Sequence, residues 1–126
     1  MSAAVKLEPE NISVLIPRAA SLFATAQYVP MPGIANELLE TAVKDYEKVF
    51  QLQQGYFKQL SAHARGELLI ALAAGWHRLG KPDKAREYFL LLTKEAPSTP
   101  HATTARTWLE KQTLPARISC AGCHAQ

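Results

Sequence analysis

The stretch that decides the fold is 66-GELLIALAAGWHRLGKPDKAREYFLLLTKEAP-97. In its first half Leu68, Leu69, Ile70, Ala71, Leu72, Ala73, Ala74 and Trp76 would cover every side of a helix. Hydrophobicity all round marks a helix with neighbours on several sides. Gly80 fits a C-terminal stop, and Lys81-Pro82-Asp83 a turn whose proline suits the first position of the next helix. That helix carries Ala85, Tyr88, Phe89, Leu91 and Leu92 up to Ala96, and Pro97 ends it.

Upstream, Ile12, Leu15, Ile16, Ala19, Leu22 and Phe23 recur every three or four positions, which predicts a helix with one buried stripe. The stretch Tyr28-Val29-Pro30-Met31-Pro32-Gly33 breaks it. A second helix starts near Pro32–Ala35, with Ile34, Leu38, Leu39, Ala42, Val43, Tyr46, Val49 and Phe50 on its apolar face and Glu37, Glu40, Lys44 and Glu47 opposite. Gly55 suggests a break, with a short helix or an extension over 56–64. Downstream, a fifth helix begins around Thr99-Pro100-His101, includes Ala105, Trp108 and Leu109, and fades after Gln112. No stretch alternates with a period of two. The expected fold is all-α: five or so antiparallel helices over 1–113, followed by an irregular tail over 114–126. A chain of 126 residues is long enough for one core without metal or disulfide support.

The quoted stretch resembles a tetratricopeptide repeat, the two-helix unit of about 34 residues. Leu72-Ala73 occupies the packing pair of the first helix, Trp76 the aromatic slot, Gly80 the inter-helix glycine, Ala85 the small residue where the helices touch, Phe89 the aromatic that follows and Pro97 the closing proline. Leu69 and Leu92 depart from the pattern, where an aromatic and a small residue are usual. The resemblance implies a short right-handed, solenoid-like stack in which His77 faces the concave groove. Such scaffolds usually hold peptides or other proteins.

Both cysteines lie in the last eight residues, in Cys120-Ala121-Gly122-Cys123-His124. This is similar to the attachment signature of c-type haem. Two thiols at that spacing add across the two vinyl groups of the porphyrin, and the next residue turns its imidazole onto the iron. Rival uses of the same residues stay open. Zinc could take Cys120, Cys123, His124 and one distant histidine; the pair could be a redox dithiol; or the thiols could be idle. The likeness to c-type cytochromes implies haem c on Cys120 and Cys123, with His124 as proximal ligand. It implies electron transfer to a redox partner protein, in association with a membrane-bound or multi-subunit complex. It also implies a periplasmic or otherwise extracytoplasmic site. Lys6, Glu8 and Glu10 precede an amphipathic rather than a solid apolar stretch, so any export signal is expected to lie outside this numbering. For the sixth iron position His77 ranks first and His101 second, ahead of Met31 and His63.

A net charge of +3 is too small to point to nucleic acid. Residues 1–62 hold five Lys/Arg against six Asp/Glu, and residues 63–126 nine against five. Arg78, Lys81, Lys84 and Arg86 cluster around Asp83, a surface suited to an acidic partner or simply to solvent. No run approaches the roughly 18–20 apolar residues that span a bilayer. No glycine-rich phosphate loop, spaced carboxylate pair or nucleophile motif points to an enzyme. Two readings follow: an electron-transfer haem protein on a helical scaffold, or a cytoplasmic protein-binding adaptor whose tail holds zinc or does nothing.

Overall fold

A computed structural model of the protein describes residues 12–115. Among the described residues five α-helices follow one another, α1 (Ile12–Ala26), α2 (Pro32–Gln53), α3 (Ala62–Arg78), α4 (Pro82–Glu95) and α5 (Pro100–Lys111). A short 3-10 helix (Gln54–Gln59) joins α2 to α3, and no strand occurs among the described residues. The expected all-α architecture is the one observed.

Short turns make neighbouring helices antiparallel, so the bundle has two distinct ends. The α1–α2 turn, the α3–α4 turn and the last residues of α5 share one, called here the Pro30 end. The α2–α3 connection and the α4–α5 turn share the other, the Pro97 end. α3 and α5 run parallel. Gly66 lies against Thr99 and His101 near their starts, and His77 bonds Trp108 near their ends.

α3 is the centre. Leu68 through Gly75 are all buried, as the apolar run requires. Its start is capped by Ser61, whose Oγ accepts from the Ala64 backbone N–H at 3.1 Å. At its end Gly80 takes a φ of +78°, the left-handed region. The Lys81 N–H bonds the Trp76 carbonyl and the Gly80 N–H bonds the His77 carbonyl, which satisfies two orphan acceptors of the helix terminus.

α1 presents Leu15, Ala19 and Phe23 to the core, four residues apart, while Ile16 is exposed. α2 contributes Leu39, Ala42, Val43, Tyr46 and Val49. Its buried stripe also includes Asp45, which takes two bonds from Arg18 of α1, Nε to Oδ2 at 2.7 Å and Nη2 to Oδ1 at 2.6 Å. That fork fixes the register between α1 and α2. Ala85, Phe89 and Leu92 of α4 are fully buried, as are Ala102, Ala105 and Trp108 of α5. Leu114, assigned by sequence to the tail, packs against this core.

Gly75 sets how closely α2 and α3 approach. A Cβ there would fall well inside van der Waals contact with Cγ2 of Val43, a stiff and buried side chain. Gly75→Ala is therefore expected to destabilise the protein by about 1–3 kcal/mol through overpacking, despite the better helix propensity of alanine. Gly33, with nothing near its Cβ position, is the control. Gly33→Ala should leave the urea midpoint unchanged or raise it. Equal midpoints for both variants would refute the close contact.

Candidate functional site

Cys120, Cys123 and His124 lie outside the described residues. The other residues considered for the iron are described, and the topology sorts them. His63 stands in the first turn of α3 at the Pro97 end, with Nε2 3.6 Å from Glu67 Oε2. His101 stands in the first turn of α5 at the same end. Gln112, from which the chain leaves α5, is about eleven residues further on, or roughly 16 Å of helix rise. His77 and Met31 lie at the Pro30 end, the one at which α5 finishes.

His77 is built into the packing. Trp108 is fully buried and stacks on Phe89, with ring centroids 4.5 Å apart and planes 24° from parallel. Its indole Nε1–H donates to His77 Nδ1 at 3.0 Å. An indole can only donate, so Nδ1 must be the acceptor, and a neutral His77 then carries its proton on Nε2. Burial and the neighbouring Arg78 guanidinium push the imidazole below its ordinary pKa, which keeps it neutral. Binding a metal through Nε2 would shift the proton to Nδ1, where it would oppose the Trp108 N–H. The arrangement thus argues against His77 as an iron ligand and gives it the role of acceptor for a buried tryptophan.

A second polar knot ties three helices. Glu47 of α2 accepts through one oxygen from Trp76 Nε1 and from the Tyr88 hydroxyl, each at 3.2 Å. Burial and that carboxylate hold the Tyr88 phenol well above its usual range. The ammonium of Lys84 lies 4.8 Å from the centre of the Trp76 ring. Glu47 is therefore a structural acceptor rather than the surface acid its place opposite the apolar stripe suggested. Beside this knot a shallow groove of about 250 Å³ is lined by Asn36, Glu40, Val43, Lys44, Trp76, Leu79 and Lys81.

At the Pro97 end Arg65 acts as a staple that the sequence did not advertise. Its Nε donates to the Glu95 carbonyl at 2.9 Å, and Nη1 donates to the carbonyls of Lys58 (3.1 Å) and Leu60. The basic cluster is open to solvent at Lys81, Lys84 and Arg86. Arg86 also covers Trp108, at 5.5 Å from its ring centre, and Arg78 covers Phe23 at 5.4 Å.

Among the described residues no three His, Cys, Asp or Glu side chains gather as a metal site. Nor is any helix there long and apolar enough to cross a membrane. Comparison with protein-family models, curated proteins and solved structures finds no match to this chain.

Burial of the His77 imidazole, with Arg78 beside it, makes stability depend on pH. Because the folded state depresses the His77 pKa, the unfolded chain binds the proton more readily between the folded value and the free value of about 6.5. Stability is thus full above about pH 6.5 and falls as the solution is acidified below it. Urea melts across this range should show the fall in the unaltered protein and a flatter profile in His77→Gln. An identical slope in both would assign the effect elsewhere.

Proposed function

We propose that the protein is a c-type haem protein that transfers electrons, with one haem joined to Cys120 and Cys123 and its iron held by His124. The observation that carries the reading is the segment Cys120-Ala121-Gly122-Cys123-His124 itself. Its donor set of two thiols and an imidazole fits haem c, and the small residues between the thiols let the backbone approach the macrocycle edge. Bound haem supplies an iron that gains and loses one electron.

The chain's own residues would then do three things. Cys120 and Cys123 anchor the group, His124 sets the position of the iron, and the bundle presents both to a redox partner protein. Exposed Lys81, Lys84 and Arg86, near the Pro30 end, would favour a partner with an acidic face. Haem of this kind is attached outside the cytoplasm, so the proposal includes a periplasmic or equivalent location. The resemblance of residues 66–97 to a tetratricopeptide unit is likewise a proposal, supported by full burial of Ala85 and Phe89 and by the left-handed Gly80.

Production with an export signal, in a host that matures c-type haem, tests the reading. Acid–acetone treatment should leave the haem absorption with the protein. Replacing Cys120 and Cys123 together by alanine should remove it. A haem-free protein carrying one zinc per chain would overturn the proposal and favour the adaptor reading.

A further inference from the structure

The shallow groove beside Trp76 has two rims. Asn36, Glu40 and Lys44 follow one another along α2, and Leu79 and Lys81 stand opposite in the α3–α4 turn. Val43, which is buried, and Trp76, which is partly so, make its inner surface. Trp76 is fixed before any ligand arrives. Its Nε1 donates to Glu47 at 3.2 Å, and the Lys84 ammonium lies 4.8 Å from its ring centre. A large ring already held in place loses little entropy on binding, and tryptophan is among the residues that most often dominate an interface. This is not the His77 side of α3: Trp76 bonds to α2, whereas His77 bonds to α5.

Charge and size narrow what could sit there. Lys44, Lys81 and Lys84 are exposed, and none makes an ion pair among the described residues. Glu47 already accepts from Trp76 and Tyr88, and Asp83 does not line the groove. Three ammonium groups therefore stand against the rim carboxylate of Glu40, a balance that favours an anionic ligand. At about 250 Å³ the groove is smaller than the roughly 300–1,000 Å³ of pockets that enclose small ligands, and it suits one large side chain. Apolar contact at Val43, Trp76 and Leu79 within a ring of lysines describes an apolar side chain set between carboxylates.

We propose that this groove docks an acidic segment of a partner protein. One aromatic or large aliphatic side chain of that segment seats against Trp76, Val43 and Leu79, and its flanking carboxylates pair with Lys44, Lys81 and Lys84. Lys84 keeps its aliphatic stem on the indole and turns its ammonium to the ligand. The site stands whether or not the chain carries haem, since every residue in it belongs to the helical body.

The test uses the full chain and a synthetic peptide, acetyl-Gly-Asp-Glu-Phe-Glu-Asp-Gly-amide, followed by proton–nitrogen NMR. Binding should move the Trp76 indole N–H resonance, leave that of Trp108 in place, and weaken as salt is added. Replacing the Phe of the peptide by Ala, or its acids by the matching amides, should weaken binding. Lys44→Gln with Lys81→Gln should lower the affinity about tenfold or more, while Lys94→Gln with Lys111→Gln, the same change of charge on exposed lysines outside the groove, should cost less than about twofold. All four lysines are exposed, and an unchanged urea midpoint checks that each variant is folded. Equal losses for the two lysine pairs would reduce the effect to net charge and overturn the site. Binding that moves Trp108 rather than Trp76, or no binding at about 1 mM peptide, would overturn it as well. Self-association of the unaltered protein that moves the Trp76 resonance would give the groove to a second copy and equally end the proposal.

Discussion

Helix α3 has no face to give to water, and the rest of the bundle is arranged to satisfy it. A helix buried from Leu68 to Gly75 needs neighbours on several sides, and they must come close. Small residues make that possible. Gly75 admits Val43 of α2, and Gly66 admits Thr99 and His101 from the start of α5. Ala71, Ala73 and Ala74 spend no volume, while Ala85 of α4 is fully buried. The large side chains then fill what the small ones leave. Burying one of them contributes about 1.5–3 kcal/mol, but only where the walls meet without gaps.

Close packing of aromatic residues raises a second demand, because a buried indole N–H needs an acceptor. The chain meets it twice, and differently. Trp76 donates its N–H hydrogen bond to a carboxylate, Glu47, which also accepts from Tyr88 and so ties α2 to both α3 and α4. Trp108 donates its N–H hydrogen bond to an imidazole, His77, and so ties α5 to α3. A carboxylate suits the half-exposed site, where water still solvates its charge. A neutral ring suits the site beside fully buried Trp108, where a charge would be costly. The Arg18–Asp45 fork does for α1 what these bonds do for the later helices.

Periodicity and punctuation made the helices readable. Pro32, Pro82 and Pro100 stand at the starts of α2, α4 and α5, and Gly80 at the end of α3, as their backbone preferences dictate. Pairwise chemistry was not readable, because spacing along one helix says nothing about the helix facing it. Nothing in the spacing marks Asp45, yet it is buried against Arg18. Glu47 lay on the polar side of its helix and is nevertheless an acceptor for two others. Ile16 and Ile34 extended the apolar stripes on paper but lie at the edges of faces whose width only the neighbours decide. His77 drew attention because histidine binds metals; its partner, thirty-one residues away, could be found only in three dimensions. Arg65, which holds the Lys58, Leu60 and Glu95 carbonyls together, gave no signal at all.

The number of helices carries a consequence of its own. In an up-and-down stack, each added helix moves the chain's exit to the opposite end. With the five among the described residues, α5 finishes at the Pro30 end, beside the α3–α4 turn and on the side of the exposed α1–α2 turn. Four or six would deliver the following segment to the Pro97 end, where Arg65 already closes the surface with backbone carbonyls. At the Pro97 end Arg65 holds three backbone carbonyls while Tyr56 stays exposed, and at the Pro30 end Tyr28, Met31 and Ile34 are uncovered. Gln112 turns through the left-handed region immediately after α5, and Leu114 packs on the core. The direction in which the chain sets out is therefore fixed by the body.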